Sequence, residues 1–132
     1  MDVKLDKWHK CQVDKEILKE LSKKSNLKGL QHVSVFFALL FITGFLAYHT
    51  WGTWWSVFWF LVYGNIYSFS NPLWHETGHK TAFESKFLNE FFYYISSYMS
   101  NFEPTRWRYT HFVHHGNTYS TENPFDHEIE YG

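Results

Sequence analysis

The stretch GLQHVSVFFALLFITGFLAYHTWGTWWSVFWFLVYGNIYSFSNPLWH, residues 29–75, contains no Asp, Glu, Lys or Arg. All twelve basic residues of the 132-residue chain lie outside it, eight before and four after. A charge-free run of this length, rich in Phe, Trp, Leu and Val, far exceeds one core helix and suits two bilayer spans joined by a turn. The slightly negative mean hydropathy of the whole chain averages this run with its polar flanks and hides it. The expected fold class is therefore all-α: an integral membrane hairpin of two transmembrane helices, followed by cytosolic or interfacial helices.

Residues 30–48 make the first expected span, rising about 28 Å against a hydrocarbon thickness of about 30 Å. His32 falls at its polar edge. His49, Thr50, Trp51, Gly52 and Thr53 then form a short polar turn. Tyr48, Trp51, Trp54 and Trp55 around it read as an aromatic belt at the membrane boundary. The second span begins near Trp54 and is strongly apolar to about Tyr67. Beyond it Ser68, Ser70, Asn71 and Pro72 add polarity without charge, as in a helix that leaves the lipid, packs on its neighbours and continues as a stalk to His75. Lysines precede the hairpin, Lys80 and Lys86 follow it, and its turn has none. That distribution places both termini on the cytoplasmic side of a multi-pass membrane protein.

Residues 1–29 form a polar cytosolic segment in which eight lysines are interleaved with five acids. Ile17, Leu18 and Leu21 can make a short amphipathic face, with the lysines against anionic headgroups. No apolar run within the first thirty residues has the form of a cleavable signal, so the first span is expected to act as the uncleaved insertion signal. The single Cys11 excludes an intrachain disulfide. The length fits one domain, and a net charge of −1 gives no indication of a nucleic-acid partner.

Five of the nine histidines form two groups: His75-Glu76-Thr77-Gly78-His79 and His111-Phe112-Val113-His114-His115. His75 and His79 lie one turn apart on one helical face. His111, His114 and His115 fall within about 100° of arc on a second helix. Each group can aim imidazoles at one point, and neutral imidazole suits iron, zinc and copper. Between the groups, Phe83, Phe87, Phe91, Ile95 and Met99 repeat every four residues, with Glu84, Asn89, Glu90, Ser96, Ser97 and Ser100 interspersed. This spacing predicts an amphipathic helix whose aromatic face lies at the membrane interface or packs on the protein. Pro104 suits the first turn of a further helix ending at Gly116-Asn117. On it, Arg106 and Arg108 are candidates for contact with substrate phosphate or lipid headgroups. Glu76, Asp126, Glu128 and Glu130 are candidate partners for the second nitrogen of ligating histidines; His127 has no assigned role.

A charge-free hairpin, then His-Glu-Thr-Gly-His followed by Lys-Thr-Ala-Phe, then Trp107-Arg108-Tyr109-Thr110 leading into His-x-x-His-His, resembles the membrane fatty acid desaturase family over roughly residues 30–130. The resemblance implies a non-haem centre of two iron ions on the cytosolic face, held by histidines from three boxes. It implies O2 as co-substrate, an acyl-lipid or acyl-CoA substrate, and electrons from a cytochrome b-type or ferredoxin-type donor. By position, His75, His79, His111, His114 and His115 are the iron ligands. It also implies a third histidine box, so residues 30–132 are expected to be the incomplete N-terminal part of such a domain and inactive alone. Removing hydrogen from an unactivated methylene needs an oxidising metal centre that side chains do not provide, which suits this ligand set.

Three other readings share these residues. His75-Glu76-Thr77-Gly78-His79 satisfies H-E-x-x-H, the zinc-peptidase pattern with Glu as general base. However, Ala82 and Ser85 stand where the extended metzincin form has Gly and His, and the second group stays unexplained. Related membrane di-iron hydroxylases use similar boxes. A non-catalytic membrane hairpin with incidental histidines would bind no metal tightly.

Overall fold

The computed structural model describes residues 12–116, all helical or connecting. The helices are α1 (Lys15–Leu21), α2 (Asn26–His49), α3 (Trp54–Tyr67), α4 (Ser70–Gly78), α5 (Lys86–Met99) and α6 (Pro104–Gly116). Helix α1 starts where the Asp14 carboxylate accepts the N–H groups of Glu16 and Ile17, and it buries none of its residues. Its apolar Ile17, Leu18 and Leu21 are exposed.

Helix α2 is the one helix among the described residues long and apolar enough to cross a membrane. Only 17% of its most apolar window is buried, so most of its apolar side chains are left uncovered by the other described helices. It contacts α3 through small residues. Thr43 and Ala47 are buried, Ser56 is buried on α3, and a Cβ on Gly44 would lie 3.2 Å from the Tyr63 ring. Close approach of backbones over small residues is how helices pack where lipid removes the hydrophobic drive. In the connecting turn, Gly52 takes φ 82°, and the Thr50, Thr53 and Ser56 hydroxyls donate to carbonyls three or four residues back.

The second apolar helix differs from the expected uninterrupted span. Helix α3 has 14 residues, a rise of about 21 Å, and the chain then breaks at Ser68 and Phe69 before α4. Pro72 accounts for the break. Its ring excludes a regular bond to the Ser68 carbonyl, which instead accepts the N–H of Asn71 at 3.1 Å. The helical path resumes within one turn and carries His75 and His79 away from α3.

Helix α5 presents most of its expected aromatic stripe outward, with Phe83 the exception. Phe83 precedes the helix and is completely buried, whereas Phe87 is 73% and Phe91 48% exposed. The face packed on α4 consists of Asn89, Tyr93, Ser96 and Ser97. Its Asn89, Tyr93 and Ser96 side chains are hydrogen-bonded internally, and the Ser97 hydroxyl is buried without such a bond. Ser96 donates to the Phe92 carbonyl at 2.6 Å, and the Asn89 amide clamps the preceding loop, donating to the Phe83 and Ser85 carbonyls at 2.7 and 2.9 Å. With that polar face turned inward, the aromatic stripe Phe87, Phe91, Tyr94 and Tyr98 faces outward. The connection between α4 and α5 returns to the start of α2: Lys24 Nζ donates to the Lys80 carbonyl at 2.7 Å and Ser85 N–H to Asn26 Oδ1 at 2.8 Å. Gly29 is required there, since a Cβ would meet the Ala82 carbonyl and the Phe83 ring at 2.6 Å.

Candidate metal centre

Helices α4 and α6 bring four histidines together. His75 lies in the last turn of α4, and His79 caps its end, with its N–H bonded to the His75 carbonyl at 3.1 Å. His111 and His115 lie one turn apart on α6. The ligand atoms of all four converge within 4.8 Å of one another. At the centre is His111 Nε2, 2.9 Å from His75 Nε2, 3.0 Å from His79 Nε2 and 3.0 Å from His115 Nε2.

Hydrogen bonding alone does not account for that arrangement. A ring nitrogen carries either one proton or one in-plane lone pair, so a single Nε2 cannot make three good N–H···N bonds. A cation replaces the conflict with four parallel demands for lone pairs. Nitrogens bound to one ion at about 2.0–2.1 Å in a tetrahedron stand about 3.3 Å apart; here the three separations from His111 Nε2 are 2.9–3.0 Å and the whole set lies within 4.8 Å. The donor set therefore fits a metal. Burial lowers the pKa of His79 below its ordinary 6.5, and the neighbouring His75, His111 and His115 add to the effect while Glu76 opposes it. The neutral ring favoured in this way is the form that binds metal.

Side chains that the sequence did not single out hold the cluster. Trp107, one turn before His111 on the same face, stacks on its ring at 4.2 Å with a 17° tilt. Trp107 also meets Trp74 at 3.6 Å, and Trp74 stacks on Phe102 at 4.3 Å. Trp74, Tyr93 and Trp107 form the buried core beneath the histidines. Gly78 makes this possible: a Cβ there would stand 2.9 Å from Trp107 and 3.1 Å from Tyr93. Glu103 caps α6, its carboxylate accepting the N–H groups of Thr105 at 3.0 Å and Arg106 at 2.5 Å. Those bonds hold its pKa below the usual carboxylate value. Glu90 joins α5 to α6 and to the loop just after α4, receiving Arg108 Nη1 on its two oxygens at 3.1 Å and Lys80 at 3.4 Å. The available signals were a Gly inside a helix and an i, i+4, i+8 stripe of Trp107, His111 and His115; nothing local marks Glu90.

The other candidates lie as follows. His114, on the flank of α6, is outside the converging four, its ring 6.0 Å from that of His111 and 5.9 Å from that of His115. The Glu76 carboxylate is exposed and accepts the Thr81 hydroxyl at 2.6 Å. Arg108 is taken up by Glu90 and by the Tyr93 ring, 4.1 Å away. Arg106 is exposed in the first turn of α6. Asp126, His127, Glu128 and Glu130 lie outside the described residues.

The fold and site define a helical protein with one long apolar helix and, between two further helices, a four-histidine cluster that could hold a metal ion. The family model for fatty acid desaturase matches residues 52–130, more than half of the chain and both histidine groups. The chain belongs to the fatty acid desaturase family, a family of oxidoreductases. Comparisons with curated proteins and with solved structures give no match.

Proposed function

We propose that this chain forms part of an oxygen-dependent di-iron desaturase that introduces a double bond into the acyl chain of a lipid or acyl-CoA. The observation that carries the reading is the convergence of four Nε2 atoms from two helices in a chain of this family. His75, His79, His111 and His115 hold one ion; His114 serves a second, whose remaining ligands come from a third histidine box. The centre, when bound, supplies the oxidising power for removing two hydrogens from a methylene pair, with electrons from a cytochrome b-type or ferredoxin-type donor. The chain's own groups act around it. Trp107 and Gly78 fix the plane of His111, the Trp74, Tyr93 and Trp107 core keeps water from beneath the cluster, and Glu90 ties α6 to the loop just after α4.

Residues 30–132 act as one desaturase-like unit after a cytosolic N-terminal segment. Helices α2 and α3, with α4 as continuation, form a membrane hairpin with its turn away from the cytosol and the histidines just above the cytoplasmic surface. The outward Phe and Tyr stripe of α5 suits the lipid interface, since its polar face is already used inside the protein. Arg106 is placed to meet headgroups. The hydroxylase alternative shares this centre.

Four converging imidazoles complete one ion, so the 132 residues alone are inactive in this reading. Purified in detergent and loaded anaerobically with ferrous iron, they should retain about one ion per chain, lose it in His111→Ala, and form no desaturated product with reductant and O2. Two retained irons with product would overturn the inactivity. Full metal retention in His111→Ala, with peptide hydrolysis abolished by Glu76→Gln, would replace the reading with a zinc peptidase.

A further inference from the structure

Trp74 is 4% exposed, and its indole Nε1 has no hydrogen-bond partner among the described residues. A buried indole N–H ordinarily finds an acceptor, and one left without points to a role that packing alone does not explain. Trp74 sits in the middle of a continuous run of aromatic rings. On its outer side Phe102, 42% exposed between α5 and α6, stacks on it at 4.3 Å. On its inner side lies Trp107 at 3.6 Å, and Trp107 stacks on His111 at 4.2 Å. Rings in contact thus lead without a gap from solvent to a histidine of the cluster. Electronic coupling falls steeply with every gap between groups, so such a run carries an electron better than the same length of aliphatic core. Indole and phenol are the side chains that most readily give up one electron, and phenol does so readily only as it loses its proton. Tyr93, the third ring of this core, is ill suited to that: its hydroxyl donates to the Pro104 carbonyl, a very weak base, and the Arg108 guanidinium 4.1 Å over its ring opposes positive charge there. Trp74, with no acceptor at Nε1, keeps its proton when oxidised and returns to the same state on reduction.

A centre able to take hydrogen from an unactivated methylene is also able to oxidise its own imidazoles when no substrate is in reach, and the protein has to exclude that side reaction. We propose that Trp107 and Trp74 form an escape route for oxidising equivalents, passing electrons from a small thiol at the Phe102 face to the histidine centre when no acyl chain is there to be oxidised. The inference rests on the desaturase reading and adds a protective function to the core beneath the histidines. Thiols are the abundant reductants of the cytosol. Two of them become one disulfide and release two protons to solvent. Their two electrons travel inward one at a time through Trp74 and Trp107, and two protons enter from solvent, in place of the two hydrogens that a methylene pair would give. Each indole loses one electron and regains it, with no bond made or broken in the ring. Phe102, too hard to oxidise to hold the charge itself, carries the coupling from Trp74 to the surface. Because oxidising an indole takes a strong oxidant, the route discharges an activated centre and plays no part in its resting reduction by the electron donor.

The test supplies the oxidant by light, so that it is independent of the metal reading, and metal binding is measured in parallel. A ruthenium(II) polypyridyl is attached at Phe112→Cys, an exposed position next to His111, in the 132-residue chain carrying Cys11→Ser in detergent. A flash in the presence of a viologen quencher removes one electron from the ruthenium, which then takes one from the protein. The radical is followed by transient absorption and located by electron paramagnetic resonance. In the parent, an indole radical should reach Trp74 and should decay faster when glutathione is added. Trp107→Phe should abolish the Trp74 radical. Trp74→Phe, which leaves Trp107 in place, should hold the radical on Trp107 and remove its response to glutathione. Trp54→Phe, at an exposed position beside the hairpin turn, should change neither. Circular dichroism reports whether each variant keeps its helices; if Trp107→Phe does not, the Trp74→Phe result decides. No indole radical in the parent, one that settles on Tyr93 or Tyr109, or a glutathione response undiminished in Trp74→Phe would overturn the proposal. The expected pattern in a chain that retains no metal would uphold the route of electrons and count against the desaturase reading instead.

Discussion

Gly78→Ala tests the packing that aims His111. From local propensity alone, Ala within a helix is favoured over Gly by about 1 kcal/mol, and Gly78 is the last residue of α4. The added Cβ would stand 2.9 Å from Trp107 and 3.1 Å from Tyr93. Trp107 cannot retreat freely, being stacked on His111 at 4.2 Å and tilted against Trp74 at 3.6 Å. Overpacking of this kind costs about 1–3 kcal/mol, so the net change should be a destabilisation of about 1 kcal/mol. Any displacement of Trp107 is passed to the His111 ring, and disturbing the support of a ligand histidine typically weakens metal binding about 10–100-fold. Chemical denaturation in detergent and competition against a chromophoric chelator measure the two effects. A Gly78→Ala protein more stable than the parent by the propensity term and binding metal equally well would refute the argument.

Several other outcomes are expected. His79→Ala should abolish stoichiometric metal binding, whereas Glu76→Gln, whose carboxylate is turned to Thr81, should weaken it less than tenfold in the same chelator competition. The carboxyl pKa of Glu103 is lowered from 4.5 by its bonds to the first N–H groups of α6. Its contribution to stability is therefore present above that value and is lost as pH falls through the folded, lower pKa; Glu103→Ala should remove this part of the acid dependence in circular dichroism titrations. For topology, cysteines are placed at Thr53 and after Glu130 in a Cys11→Ser background and treated with an impermeant label. The turn cysteine should react from outside intact cells and the tail cysteine should not, and the reverse pattern would contradict the hairpin orientation.

Charge and proline carried most of what the sequence revealed. The run without charges, cut at its polar turn, puts the first span at residues 30–48, within α2 as observed (Asn26–His49), and Pro104 marks the start of α6. The two histidine spacings predicted convergence, and four of the five candidates converge; His114 lies to one side because it is one residue off the stripe shared by His111 and His115. Periodicity identified α5 as two-faced but not the medium each face meets. A Ser and Asn face is buried when its groups find partners inside the protein, as Asn89 and Ser96 do, and the Phe face is then left outside. The break before α4 was written in Pro72, whose effect on the Ser68 carbonyl shortens α3. Trp107, Gly78 and Glu90 act through contacts between helices, and no local pattern announces a partner distant in sequence.

X-ray absorption at the bound metal addresses the four-histidine centre most directly. The account predicts four nitrogen scatterers at about 2.0–2.1 Å in the parent chain and three or fewer, with weakened retention, in both His75→Ala and His111→Ala. A shell of two imidazoles that survives His111→Ala unchanged would contradict it.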